Sequence, residues 1–275
     1  YIDITDVVEY GAENRVTINA NTGVQTSSRW YTGSGLYRGL TLCHGPKVHI
    51  KNDGIYAYTK EVSDGVAYIE AQIDVCNETA QNRIVSVNFQ LIDEKDNTVA
   101  AEITGNIQVN AMAEETARFA FTVDNPKLWD IDNPNLYIAK ATVTDIGTYR
   151  TRFFKNETCT VDEAEKLFGI RTITADAIRG LRINGKTVKL KGGCVHHDNG
   201  LLGAVSLYES EVRRVKKLKE IGFNAIRTAH NPPSKALVEA CDRVGMYIFD
   251  EEYAFYKQTM NYVNDSNKYN HTLIF

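Results

Sequence analysis

Gly222-Phe223-Asn224-Ala225-Ile226-Arg227-Thr228-Ala229-His230-Asn231-Pro232-Pro233-Ser234 carries three local signals in succession. A glycine suited to close a helix comes first. The run Phe223–Thr228 then reads as a strand, and Pro232-Pro233 stops it. Ser234 can cap a following helix, which runs to about Val244 and closes at Gly245. Met246-Tyr247-Ile248-Phe249 is a buried-looking strand beyond it. Upstream, Val212, Val215, Leu218 and Ile221 recur at helical spacing, with Arg213, Arg214, Lys216, Lys217 and Lys219 on the polar side. Ser206 and Glu209 match a capping box. A strand before this helix makes the order βαβαβ, whose crossovers require parallel strands. Before it, Asn184-Gly185 between Leu181-Arg182-Ile183 and Val188-Lys189-Leu190 predicts a hairpin.

Before about residue 170 the period is two rather than 3.6. Arg15–Ala20, Tyr68–Val75, Val85–Leu91, Ala117–Val123 and Tyr137–Val143 all alternate, and Asp93-Glu94-Lys95-Asp96-Asn97 supplies turn chemistry between two of them. Short alternating strands at this spacing predict a β-sandwich. The chain therefore changes class, from all-β to α/β, part-way along.

With 43% apolar and 24% charged residues the composition is that of a globular protein and gives no sign of disorder. No apolar run approaches the roughly 20 residues of a membrane span, so no membrane partner is expected. A net charge of -4 argues against a nucleic-acid partner. Cys43, Cys76, Cys159, Cys194 and Cys241 are odd in number and widely spaced. They are expected to be buried free thiols and not a zinc site or a disulfide framework.

Several stretches together resemble family 2 of the glycoside hydrolases, the β-galactosidase kind. Arg29-Trp30-Tyr31-Thr32-Gly33-Ser34-Gly35-Leu36-Tyr37-Arg38 resembles the end of that family's sugar-binding jelly roll. Lys191-Gly192-Gly193-Cys194-Val195-His196-His197-Asp198-Asn199-Gly200-Leu201-Leu202-Gly203 is similar to its first barrel strand and following loop. The stretch quoted at the outset, with Cys241-Asp242 and Asp250-Glu251, is similar to its second and third strands. Asn125-Pro126-Lys127-Leu128-Trp129 and Pro134-Asn135-Leu136-Tyr137 resemble its immunoglobulin-like domain. Glu252-Tyr253-Ala254-Phe255 departs from the family pattern.

The resemblance implies a multidomain β plus α/β chain. Residues 1–43 would be the C-terminal end of a jelly roll, residues 44–165 an immunoglobulin-like β-sandwich, and residues 166–275 the first part of a (β/α)₈ TIM barrel. It implies a retaining hydrolase of terminal β-glycosides, β-galactosides foremost, with a carbohydrate substrate and a homo-oligomeric parent. Such enzymes use two carboxyl groups about 5 Å apart. In the family these are glutamates after the fourth and seventh strands. The chain, which opens inside a strand-like sequence, is therefore expected to be an internal piece lacking both, and inactive alone.

By the resemblance, His197 and His230 contact the sugar near the cleaved bond and Arg227 braces the nucleophile carboxylate, an Arg fork being suited to that. Each has a plainer reading: a core histidine, or a structural salt bridge for Arg227. Asp198 is either a sugar contact or a loop cap. His196 yields the motif position to its neighbour. Asp250 and Glu251, adjacent on a strand, point to opposite faces and are expected to order structure. Trp30 and Trp129 are expected to pack. No metal is expected in this chain, because His196, His197 and Asp198 lack ligand spacing; a longer enzyme could hold a divalent cation. Two rival readings stay open: a non-catalytic carbohydrate-binding or interaction module, and a metal-dependent hydrolase built on the His-His-Asp cluster.

Overall fold

The computed structural model describes residues 2–21, 36, 38–147, 160–229, 232–251 and 272–274. Its first layered unit is a seven-stranded sandwich. One sheet has the order β1-β2-β5, with β1 Val48–Ser63, β2 Val66–Asn77 and β5 Ala113–Asp124. The other has the order β4-β3-β6-β7, with β3 Arg83–Asp93, β4 Val99–Val109, β6 Tyr137–Asp145 and β7 Thr160–Phe168. Every pairing within the two sheets is antiparallel. Alternation explains the layering. Val85, Val87, Phe89 and Leu91 of β3 turn inward to meet Ile69, Ala71, Ile73 and Val75 of β2 in one core. Ile170, just past β7, is buried in the same core.

Alternation without a partner does not make a strand. Arg15–Ala20 is exposed along its length, and none of residues 2–21 belongs to a sheet. A strand is stable only where a neighbour satisfies its backbone groups, and among the described residues none lies beside it. The expected jelly-roll end is thus not seen as sheet, and most of Arg29–Tyr37, with Trp30, lies outside the described residues.

A small sheet follows, of β8 Ile173–Asp176, β9 Gly180–Ile183 and β10 Lys186–Thr187. Asn184 and Gly185 both have positive φ, 49° and 75°, the type I′ geometry expected of Asn-Gly. The expected βαβαβ unit comes next: β11 Gly192–Val195, α1 Tyr208–Glu220, β12 Ala225–Thr228, α2 Lys235–Val244 and β13 Tyr247–Glu251. The three strands are parallel. β14, Thr272–Ile274, lies antiparallel on the outer side of β13. Gly192 is required, since a Cβ there would sit 1.8 Å from the Ala225 carbonyl oxygen. Ser234 caps α2 by accepting from Leu237 N, and Gly245 closes it in the left-handed region. The Ser206–Glu209 capping box does not form. Leu207, which has no polar side chain, is the N-cap of α1, and the Ser206 hydroxyl one residue earlier donates to Glu211.

Of the cysteines, Cys241 is buried, Cys76 half-buried, and Cys43 and Cys194 are exposed. The expectation of buried thiols is corrected for the last two, which stand in the N-terminal segment and on the open face of β11; Cys159 lies outside the described residues.

Trp129 joins the sandwich to the α/β unit. Its backbone N–H donates to Ile170 O, and its indole N–H donates across to Asp242 O, both at 2.8 Å. Tyr247 meets the ring edge-on at 5.7 Å between centroids, and the Arg171 guanidinium lies 4.7 Å from its centre. Desolvation under this lid raises the Asp242 carboxyl to about 6, against the pull of Arg171. The folded chain therefore binds this proton more tightly than the unfolded one, and the group's contribution to stability falls as pH rises from about 4 through about 6. Asp242→Asn should remove that slope: in urea unfolding, variant stability minus native stability should grow between pH 4 and pH 7. A difference independent of pH would refute the assignment.

Candidate functional site

Strand parity divides the end of the parallel sheet into two faces. Ile226 and Ile248 face the helices, packed with Val215, Leu237 and Ala240. Thr228 and Asp250 share that parity, and the Thr228 hydroxyl donates to Asp250 at 2.9 Å and accepts from Glu251 N at 3.0 Å. Cys194, Arg227 and Phe249 are aligned by register on the opposite face. There Arg227 lies 2.7 Å from Glu251, whose side chain is only 7% exposed, and donates to Cys194 Sγ at 3.5 Å. Asp250 and Glu251 thus diverge, each held by a structural partner.

Beyond β11 the chain turns sharply. Asp198 N donates to His196 O at 2.8 Å, and Asn199 N donates to Gly203 O at 2.6 Å across a 3₁₀ turn, Gly200–Leu202. His196 and His197 are half-buried and Asp198 is exposed. These three line a cavity of about 20 Å³ with Ser206, Glu211, Arg214, Thr228 and Ser234. That volume is water-sized, far below the hundreds of Å³ of a ligand pocket. It can seat one polar group and not a sugar ring.

Burial holds the His197 imidazole below its usual range, and the charge of Arg38 acts in the same direction, opposed by Glu211. A neutral imidazole at pH 7 offers one donor and one acceptor. Arg38 comes from the segment before the sandwich and donates to Pro232 O at 3.1 Å. His197 and Asp198 are therefore brought to one cavity. Arg227 lies on the other face of β12 from it, and His230 lies outside the described residues. Among the described residues no group of three or more His, Cys, Asp or Glu is arranged to hold a metal ion, and no helix is long and apolar enough to cross a membrane.

Glu211 went unread in the sequence. It is 3% exposed, and it accepts from the Ser206 hydroxyl at 2.7 Å. The signal was available: Glu211 stands one turn before Val215, on the apolar stripe of α1, where a carboxylate has no reason to be unless it is paired.

Two family models match the chain. That described as "Glycosyl hydrolases family 2" covers residues 48–171, and that described as "Glycosyl hydrolases family 2, TIM barrel domain" covers residues 177–273. The β-galactosidase BoGH2A of Bacteroides ovatus is 34% identical over 93% of this chain. A family 2 member from Bacteroides cellulosilyticus superposes with a TM-score of 0.77 at 34% identity, covering 91% of this chain and 33% of that one. A β-glucuronidase of Bacteroides uniformis superposes with a TM-score of 0.67 at 27% identity, covering 82% of this chain and 27% of that one. The chain spans 29% of the length of the B. ovatus relative.

The Arg227–Glu251 pair can be weighed by mutation. Arg227→Met strands a buried carboxylate and should lower stability by on the order of 2 kcal/mol, less than a fully buried pair because Arg227 is partly solvated. Arg227→Met with Glu251→Met should recover most of that loss in urea unfolding. A double-variant loss equal to the sum of the Arg227→Met and Glu251→Met losses would mean the pair carries no coupling.

Proposed function

We propose, from the premise that the chain belongs to family 2 of the glycosyl hydrolases, that it is the part of a retaining glycosidase that carries the sandwich and the opening strands of the barrel. The substrate class is a terminal β-glycoside, with β-galactosides first. The observation that carries the reading is the placement of His197 and Asp198 just past the C-terminal end of a parallel strand, the end on which barrel enzymes build their sites. The relatives support it. A relative at 34% identity is a β-galactosidase, while relatives at 28% and 24% are named putative β-glucuronidase and β-glucuronidase, which keeps β-glucuronides as the second substrate to test.

In this reading His197, neutral at pH 7, accepts from or donates to a sugar hydroxyl beside the cleaved bond. Asp198, exposed at the loop crest, accepts from a neighbouring hydroxyl. His230, two residues past β12 in the sequence, is assigned to the same sugar by the family resemblance. Arg227, one nitrogen already on Glu251, directs its remaining donors to the nucleophile carboxylate and favours its ionised form. The two reacting glutamates come from barrel strands other than β11, β12 and β13.

Two measurements test the proposal. The chain alone should not turn over a chromogenic β-galactoside or β-glucuronide above a buffer control, since no glycosyl-enzyme can form without a nucleophile. In a longer enzyme containing this chain, His197→Ala and His230→Ala should each lower kcat/KM at least about tenfold with folding intact, the loss of one hydrogen bond made mainly in the transition state. Wild-type kinetics in either variant would return that histidine to the core.

A further inference from the structure

The first turn of α1 carries a buried carboxylate that the proposed chemistry does not use. Glu211 Oε1 accepts from Ser206 Oγ at 2.7 Å. Ser206 Oγ lies 2.5 Å from Ser234 Oγ, the hydroxyl that caps α2. On its other side Glu211 Oε2 is 3.3 Å from Arg214, and Arg214 in turn donates to the Asp198 carbonyl. Glu211 thus grips the β11–α1 loop at both ends, through Ser206 and through Asp198. His197, next to Asp198 in the chain, lines the same cavity as Glu211.

Burying a carboxylate is unfavourable unless it is paired and hydrogen-bonded. Here that is only half achieved: Oε2 is buried and, despite the proximity of Arg214, has no aligned hydrogen-bond donor. An apolar residue would serve a purely structural helix better at this position. A charge kept beside an imidazole is accounted for if it acts on that imidazole.

We propose that Glu211 is a positioning residue, which fixes the loop from His196 to Ser206 and sets the orientation and proton affinity of His197 in the site. The inference rests on the reading of His197 as a sugar-contacting residue. The charged groups acting on His197 are Arg38 from the N-terminal segment, His196 beside it, and Arg214 and Glu211 from α1. Among the described residues, Thr228 of β12 and Pro233, Ser234 and Leu237 at and just before the start of α2 complete the cavity lining, and none of these four titrates. Glu211 is the sole member of this set that favours the protonated imidazole.

The test uses the whole chain and no substrate. NMR titration of the His197 ring, assigned with His197→Gln, is compared in wild type and Glu211→Gln, together with amide exchange at Asp198, Asn199, Leu202 and Val205, whose N–H groups are bonded within the loop. Glu211→Gln should move the His197 midpoint downward and speed loop exchange about tenfold or more. An unchanged midpoint with altered exchange confined to α1 would overturn the proposal and leave Glu211 a helix-stabilising residue. If Glu211→Gln does not fold, Ser206→Ala decides: it keeps the carboxylate and removes one tether, so loop exchange should rise while α1 stays protected, and unchanged loop exchange would overturn the proposal. Failure here leaves the sugar role of His197 standing, whereas normal kinetics for His197→Ala removes that role and leaves the Glu211 coupling intact.

Discussion

The docking of the sandwich on the α/β unit turns on Trp129. A buried indole presents a large apolar body and one donor that needs a partner. Here the partner is a carbonyl from the other unit, Asp242 O, so the ring cannot be satisfied by the sandwich alone. Two glycines mark how close the approach is. A Cβ on Gly169 would meet Trp129 Cβ at 2.9 Å, and a Cβ on Gly245 would meet the Ile131 carbonyl oxygen at 2.4 Å. Lys219 reinforces the seam by donating to both Ile131 O and Val244 O, joining α1, α2 and the loop that carries Trp129. The helices beside the cavity are thus anchored by a domain that, among the described residues, contributes no side chain to its lining.

Parity in three short strands then decides what the site can be. Because side chains alternate, a single row of hydrogen-bonded strands offers two different surfaces at its C-terminal end. One faces the helices and is nearly closed, with Thr228 and Asp250 satisfying each other. The other carries the Arg227–Glu251 pair. A guanidinium held on one side by a carboxylate has fixed orientation and still presents further donors, which makes the structural salt bridge and the proposed bracing role compatible: the first pre-orients the residue for the second.

Much of this was legible in the sequence wherever a local rule and a tertiary partner agreed. Asn184-Gly185, Ser234 and Gly245 adopted the backbone their chemistry calls for, and the alternation of Val85–Leu91 became the inward face of a sheet. Arg15–Ala20 alternates as well but has no neighbouring strand among the described residues, and periodicity cannot report whether a partner is there. Ser206 failed as a helix cap because it stands one residue before the N-cap, Leu207, with its hydroxyl turned to Glu211 and Ser234 instead of the first turn. β14 was unreadable for a similar reason, since pairing with β13 is a property of the fold and Thr272–Ile274 carries little pattern of its own.

The same competition explains where function and folding part company. On the stripe of α1 defined by Val215, local consistency calls for an apolar residue at position 211, and a glutamate there works against the helix packing it sits in. Departures from local consistency that survive in a folded protein concentrate where a chain does something besides fold. Glu211, the orphaned buried oxygen it carries, and the half-buried histidine beside it are such a departure. They lie at the end of the sheet where a barrel enzyme works, whereas Trp129, Gly169 and Gly245, which obey every packing rule, lie at the seam. Packing and the proposed chemistry thus lie at opposite ends of the same three strands, and α1 is tied to the seam by Lys219 and to the loop that carries the proposed site by Glu211.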